Sequence, residues 1–195
     1  MRRRLSPAAP PIRAPDRPDP LTAPDRRGAR RPFHALVLCT GNSARSQIAE
    51  ALLATKGAGR VEAASAGSRP APRVNPYAVE ALREHGIAWE GRTPKSIADV
   101  TGQTFDLVVT VCDNARDACP YFPGAAAQVH WGLPDPADET EPMAARRAFA
   151  ETYAALAARV DALLALPLEE LEPAALRERA QAIHDAAPGR AEPAA

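Results

Sequence analysis

The sequence predicts an α/β fold: a three-layer sandwich with a central parallel four-stranded sheet. Two observations predict it. Short apolar runs that suit buried strands alternate with segments of helical period. Glycine, asparagine and proline punctuate the junctions between them.

The elements follow in order. Residues 34–39 form an apolar run ending in Cys39, which fits a buried first strand. A Gly-Asn-Ser turn follows, then Ile48, Ala51, Leu52 and Thr55 recur at helical spacing, so residues 43–56 read as a helix stopped by Gly57. Residues 61–65 are a second strand. Residues 68–74 are a proline-rich loop. Asn75 as N-cap and Pro76 at the first helical position open a helix that runs to Gly86. Residues 105–112 are the clearest strand, and 127–130 a fourth. Residues 143–166 make a long amphipathic helix, and 174–187 a further one. Parallel sheets of this kind carry their sites at the carboxyl ends of the strands. Cys39 and Cys112 both end an expected strand, so the two thiols come to one edge of the sheet.

The chain divides into a tail at residues 1–32, a domain at 33–168 and a C-terminal helical extension with a loose end at 169–195. The 21 prolines cluster at these edges. The first segment has few large apolar residues and no periodicity, and reads as disordered. Asp16, Asp19 and Asp25 interrupt its arginines and no aromatics interleave them, which argues against a nucleic-acid arm. Its start is basic but leads into prolines rather than an apolar core, unlike a secretory signal. The 24 basic and 24 acidic residues cancel, and no apolar run approaches the ~20 residues of a membrane helix. No nucleic acid and no membrane are expected as partners. Three cysteines are too few and too odd for a secreted disulfide scaffold, so a reducing, cytoplasmic setting is expected.

The loop Cys39-Thr40-Gly41-Asn42-Ser43-Ala44-Arg45-Ser46 carries the chemistry. Its amides, and those of the first helical turn, lack intrahelical partners and favour an anion at their focus. Gly41 permits backbone conformations other residues resist. Asn42 tolerates left-handed geometry and can tie the loop to its neighbours. Arg45 supplies a planar fork for two oxygens of a tetrahedral oxyanion. Cys39 beneath this positive focus should ionise more readily than the ~8.5 of a free cysteine, and Ser46 can donate to its thiolate. A cysteine at a strand end is often only a small hydrophobe, and Gly-Asn-Ser is often only a turn. The joint pattern between a strand and a helix outweighs both. Cys112 and Cys119 are seven apart, not the two-to-four gap of paired zinc ligands, and no histidine pair completes a set. No metal and no cofactor are expected.

These residues resemble the Cys-x5-Arg-Ser loop of the low-molecular-weight tyrosine phosphatases, and most of all the thioredoxin-coupled arsenate reductases built on that fold. The resemblance spans residues 35–164 and includes Ser65-Ala66-Gly67, Val74-Asn75-Pro76, Cys112, Cys119-Pro120 and His130-Trp131-Gly132 through Asp135-Pro136. It implies that arsenate is the substrate, Cys39 the nucleophile and Asp135 the general acid. A capping role is the other reading of Asp135. It implies a relay in which Cys112 attacks the Cys39 adduct, Cys119 then attacks Cys112, and thioredoxin reduces the final disulfide. It also implies a monomer. Seven residues of helix would separate the last two Cα atoms by ~10.5 Å. A disulfide needs ~7 Å or less, so a helix over 113–118 must unwind on oxidation. Some relatives brace the loop with a potassium ion near the positions of Asn42, Glu50, Ser65 and a carboxylate. Lys95 stands at the carboxylate's position, where its ammonium can replace the ion or simply lie exposed in a loop. Ala44 stands where some relatives carry another cysteine.

Two other functions compete. A low-molecular-weight protein tyrosine phosphatase usually places aromatics after Asp-Pro. Here residues 137–141 are Ala-Asp-Glu-Thr-Glu. An arsenite- or redox-sensing module would leave Arg45 and Asp135 without a task.

Overall fold

The computed structural model describes residues 31–118 and 121–187. The tail expected over 1–32 lies outside these residues but for its last two, as do Cys119 and the terminal segment 188–195. The strands are β1 (Phe33–Cys39), β2 (Val61–Gly67), β3 (Phe105–Thr110) and β4 (Ala125–His130). The helices are α1 (Arg45–Gly57), α2 (Pro76–Glu84), α3 (Asp113–Ala118), α4 (Pro142–Leu164) and α5 (Pro173–Ala186). The sheet is parallel throughout, in the order β2-β1-β3-β4. Strand order reverses between β1 and β3, so the loops leaving them diverge and open a crevice at their carboxyl ends.

Alternate residues of β1 serve opposite faces. Ala35, Val37 and Cys39 join a large cluster with Ile48, Leu52, Leu82, Phe149, Leu156 and Val160 from the long helices. Leu36 and Leu38 join a smaller one with Val108, Phe105, Phe122 and Val100. The second face is covered more thinly, by a 3-10 turn at Ile97–Asp99 and the segment around Phe122.

Several boundaries differ from the sequence reading, each for a local reason. Helix α1 begins at Arg45 rather than Ser43, because the Ser43 carbonyl accepts from the Asn75 amide, 2.8 Å away. Thr55 is exposed, while Ala49 and Leu53 are buried beside the expected Ile48, Ala51 and Leu52. Helix α2 opens as expected, with Asn75 Oδ1 accepting from the Tyr77 amide at 2.9 Å and Pro76 first in the helix. It ends at Glu84, and Gly86 follows at φ 76° in the left-handed region. Strand β3 stops at Thr110, so Cys112 is not on it: the Cys112 carbonyl already accepts from Ala115 and Arg116, the first turn of α3. The boundary expected at 168 does not divide the core. Leu176 and Ala180 of α5 are buried in the large cluster, and Trp131 Nε1 donates to the Ala180 carbonyl at 2.9 Å.

Leu156 is fully buried at the centre of α4. Leu156→Ala should lower the unfolding free energy by about 2–5 kcal/mol. Urea denaturation checks this as a lower midpoint at unchanged slope.

Candidate active site

The loop after β1 is held open from outside. The carbonyls of Cys39, Thr40, Gly41 and Ser43 each accept an amide of the following loop, from Ser68, Arg69, Ala71 and Asn75, at 2.8–3.2 Å. A trans peptide points its N–H opposite to its carbonyl. Carbonyls drawn outward therefore turn amides inward, and one is seen: Asn42 N–H donates to Cys39 Sγ at 3.0 Å. Gly67 is needed where β2 meets this loop. A Cβ there would stand 2.6 Å from the Thr40 carbonyl oxygen and 2.9 Å from the Asn42 nitrogen.

Asn42 is wholly buried, with φ 48°. Its Nδ2 donates to Ser46 Oγ at 2.9 Å and to Ser65 Oγ at 2.7 Å. Its Oδ1 accepts from the Lys95 amide at 2.7 Å and from Gln47 Nε2 at 3.1 Å. Ser65 donates on to Glu50 Oε2. Lys95 Nζ lies 3.2 Å from both Glu50 oxygens. The structure thus gathers Asn42, Glu50, Ser65 and Lys95 into one network. Gln47 and Trp89 extend it, with Trp89 Nε1 donating to Gln47 Oε1 at 2.8 Å. Neither was legible in the sequence, because a glutamine in a helix and a tryptophan in a loop carry no motif.

Cys39 Sγ lies 2.8 Å from Ser46 Oγ. The ready ionisation read from the sequence does not hold for this structure. Burial pushes the Cys39 thiol up, opposed by the Ser46 and Asn42 donors; the charge of Cys112 adds to the rise, and Arg45 counters it least. The Arg45 guanidinium is itself engaged elsewhere. Its Nη1 donates to the Leu133 carbonyl at 2.7 Å and its Nη2 pairs with Asp135 Oδ2. Its Nε is buried without a hydrogen-bond partner among the described residues. Asp135 also caps the 3-10 turn Pro136–Asp138, with Oδ1 accepting from the Ala137 amide at 3.1 Å. The capping reading of Asp135 is thus seen in one oxygen, while the other pairs with Arg45. Cys112 is buried, with Sγ 3.4 Å from Thr40 Oγ1. Among the described residues no cluster suits a metal ion.

A parallel sheet with Cys39, Arg45 and Ser46 on a strand-to-helix loop, faced by an aspartate, defines a class. The chain belongs to the low molecular weight phosphotyrosine protein phosphatase family, whose model matches residues 34–179. Its relatives there include arsenate reductases. That of Halalkalibacterium halodurans is 45% identical over 100 residues, 51% of this chain and 71% of that one. That of Bacillus subtilis is 42% identical over 100 residues, again 51% and 71%. The solved structure of an arsenate reductase in the phosphate binding state matches with a TM-score of 0.60 at 28% identity, covering 68% of this chain and 97% of that one. A thioredoxin-dependent arsenate reductase of Corynebacterium glutamicum matches with a TM-score of 0.54 at 30% identity, covering 68% and 60%.

Removing the 2.8 Å Ser46 contact takes a donor from the Cys39 thiolate. Ser46→Ala should shift Cys39 alkylation by iodoacetamide to higher pH and slow it roughly tenfold at neutral pH. A pH series of alkylation rates, with Cys39 followed by mass spectrometry, checks both.

Proposed function

We propose that this chain reduces arsenate to arsenite. One observation carries the reading: a second buried thiol, Cys112, stands beside the Cys39 loop, with its sulfur 3.4 Å from Thr40 Oγ1. A phosphatase needs one thiol and one acid, so Cys112 would have no task in it.

Arsenate has the shape and charge of phosphate and suits the loop Thr40, Gly41, Asn42, Ser43, Ala44 and Arg45. It competes with Asp135 for the Arg45 guanidinium, and the unpartnered Arg45 Nε offers a further donor. Asp135, separated from Arg45, then serves as proton donor. The Cys39 thiolate attacks arsenic, and one oxygen leaves as water with a proton from Asp135. The Cys112 thiolate attacks the Cys39 sulfur. The sulfur–arsenic bonding pair passes to arsenic, which falls from the +5 to the +3 state and departs as arsenite. Cys119 attacks Cys112, freeing Cys39. A dithiol donor of the thioredoxin kind reduces the Cys112–Cys119 bond. Helix α3 spans Asp113–Ala118, so this last pairing requires it to unwind.

The residues do not fit a potassium ion at Glu50. The Lys95 ammonium already lies against both carboxylate oxygens and would repel a second cation. Lys95 therefore braces the loop through Glu50, while its backbone holds Asn42.

In an arsenate-dependent NADPH oxidation assay with thioredoxin and its reductase, the wild type should turn over continuously. Cys119→Ser should complete one turnover and stall with Cys39 bonded to Cys112. Undiminished multiple turnover by that variant would overturn the relay. The wild-type rate should be equal in potassium chloride and choline chloride at matched ionic strength, whereas Lys95→Ala should lose activity and recover part of it with potassium. A titration of both salts checks this.

A further inference from the structure

We infer that His130 is a positioning residue for Cys112: its imidazole is a strut that pins the first turn of α3 and holds the Cys112 turn against the Cys39 loop. The inference rests on the reductive role proposed above for Cys112. Its geometry is independent of that role.

His130 is the last residue of β4. Its Nδ1 lies 2.8 Å from the hydroxyl of Thr110, the last residue of β3. Its Nε2 lies 3.1 Å from Oδ1 of Asp113, the first residue of α3 and the neighbour of Cys112. One ring thus links the ends of two core strands to the start of the helix. Its backbone is also held, because the His130 amide donates to Gln181 Oε1 at 3.3 Å and its carbonyl accepts from Gln181 Nε2 at 3.4 Å. Space for the ring is provided by Gly132, where a Cβ would stand 2.7 Å from His130 Nε2. A Cβ at this position would press on the imidazole, so the ring or the backbone beneath it would have to shift.

Helix α3 needs such a strut. Six residues are far too few for a helix to be stable by itself. Among its described side chains only Ala115 is buried. Its other side-chain pairings are local, from Arg116 to Asp113 at 3.1 Å and to Asp117 at 3.3 Å. His130 supplies the polar tie from outside the helix.

The strut does not need a charged imidazole. Burial lowers the His130 pKa, the Arg116 guanidinium lowers it further, and Asp113 opposes both. The ring of His184 is a further titratable neighbour, with centroids 6.4 Å apart. The Asp113 carboxylate can only accept, so a neutral ring carries its proton on Nε2, directed at Asp113. The function is therefore to place a donor, and a neutral donor of similar reach can replace it.

Hydrogen exchange of the full-length reduced protein, without arsenate, tests the strut on three variants. In His130→Phe, which keeps a ring without a donor, the amides of residues 113–118 should exchange about tenfold faster than in wild type. Gly132→Ala, which keeps the imidazole but displaces it, should do the same. His130→Gln, whose amide can reach Asp113, should stay within about threefold of wild type. The buried amides of β3 report that each variant is folded, and His130→Phe decides if Gly132→Ala does not fold. Wild-type exchange of residues 113–118 in His130→Phe, or equal loss in His130→Gln and His130→Phe, would overturn the inference. These measurements need no turnover, so they stand apart from the arsenate assay. In single turnover with arsenate, His130→Phe should also form the Cys39–Cys112 bond more slowly at unchanged arsenate KM.

Discussion

The site depends on the buried side chain of Asn42. An asparagine amide offers two donor hydrogens and two acceptor lone pairs, and all four are used here. The partners come from α1, from β2 and from the backbone at Lys95, so one side chain ties three segments to the loop. The same residue holds a left-handed φ of 48° and turns its own amide to Cys39 Sγ. A polar group this deep costs about 1–3 kcal/mol for each bond left unmade, so the network is stable only when complete. Glu50 belongs to the same logic. Its carboxylate is nearly buried and is held by a hydroxyl and an ammonium together.

The second constraint is the balance at Cys39. Burial removes the thiol from water and resists its ionisation, while Ser46 and the Asn42 amide favour the thiolate. The guanidinium that could tip the balance is shared with Asp135 and the Leu133 carbonyl. Under the proposed function, an entering oxyanion would compete with Asp135 for that guanidinium and so couple binding to the release of Asp135.

Sheet topology sets the remaining relation. The order β2-β1-β3-β4 places the ends of β1 and β3 side by side where the crossovers diverge. Cys39 closes β1, and Cys112 stands two residues past the end of β3. A short helix with one buried described side chain follows Cys112 at once. The rigid sheet fixes one thiol, and a marginal helix carries the other. That difference is what the proposed relay would require of its two sulfurs.

Much of this was legible in the residues. Apolar runs marked β1 and β3, because a strand buried on both faces must be apolar along its length, while β2 and β4 are more polar and only partly buried. Asn75-Pro76 marked the start of α2, because capping is a local interaction between neighbours in the chain. Cys39, Arg45 and Ser46 were legible as a site because one loop holds all three. The ends of β3 and α1 were not. They are set by the Cys112 carbonyl turning into a helix and by the Ser43 carbonyl meeting Asn75, which no local pattern records. The reach of α5 into the core was missed for the same reason. So the sequence by itself determined the α/β class and the strand-to-helix loop that carries Cys39, Arg45 and Ser46, since periodicity and short-range spacing specify these. Only the tertiary structure decided how deeply Cys39 is buried, what Arg45 holds, and which side chains brace Asn42. Those depend on burial and on contacts between residues far apart in the chain, and neither is a property of any local stretch.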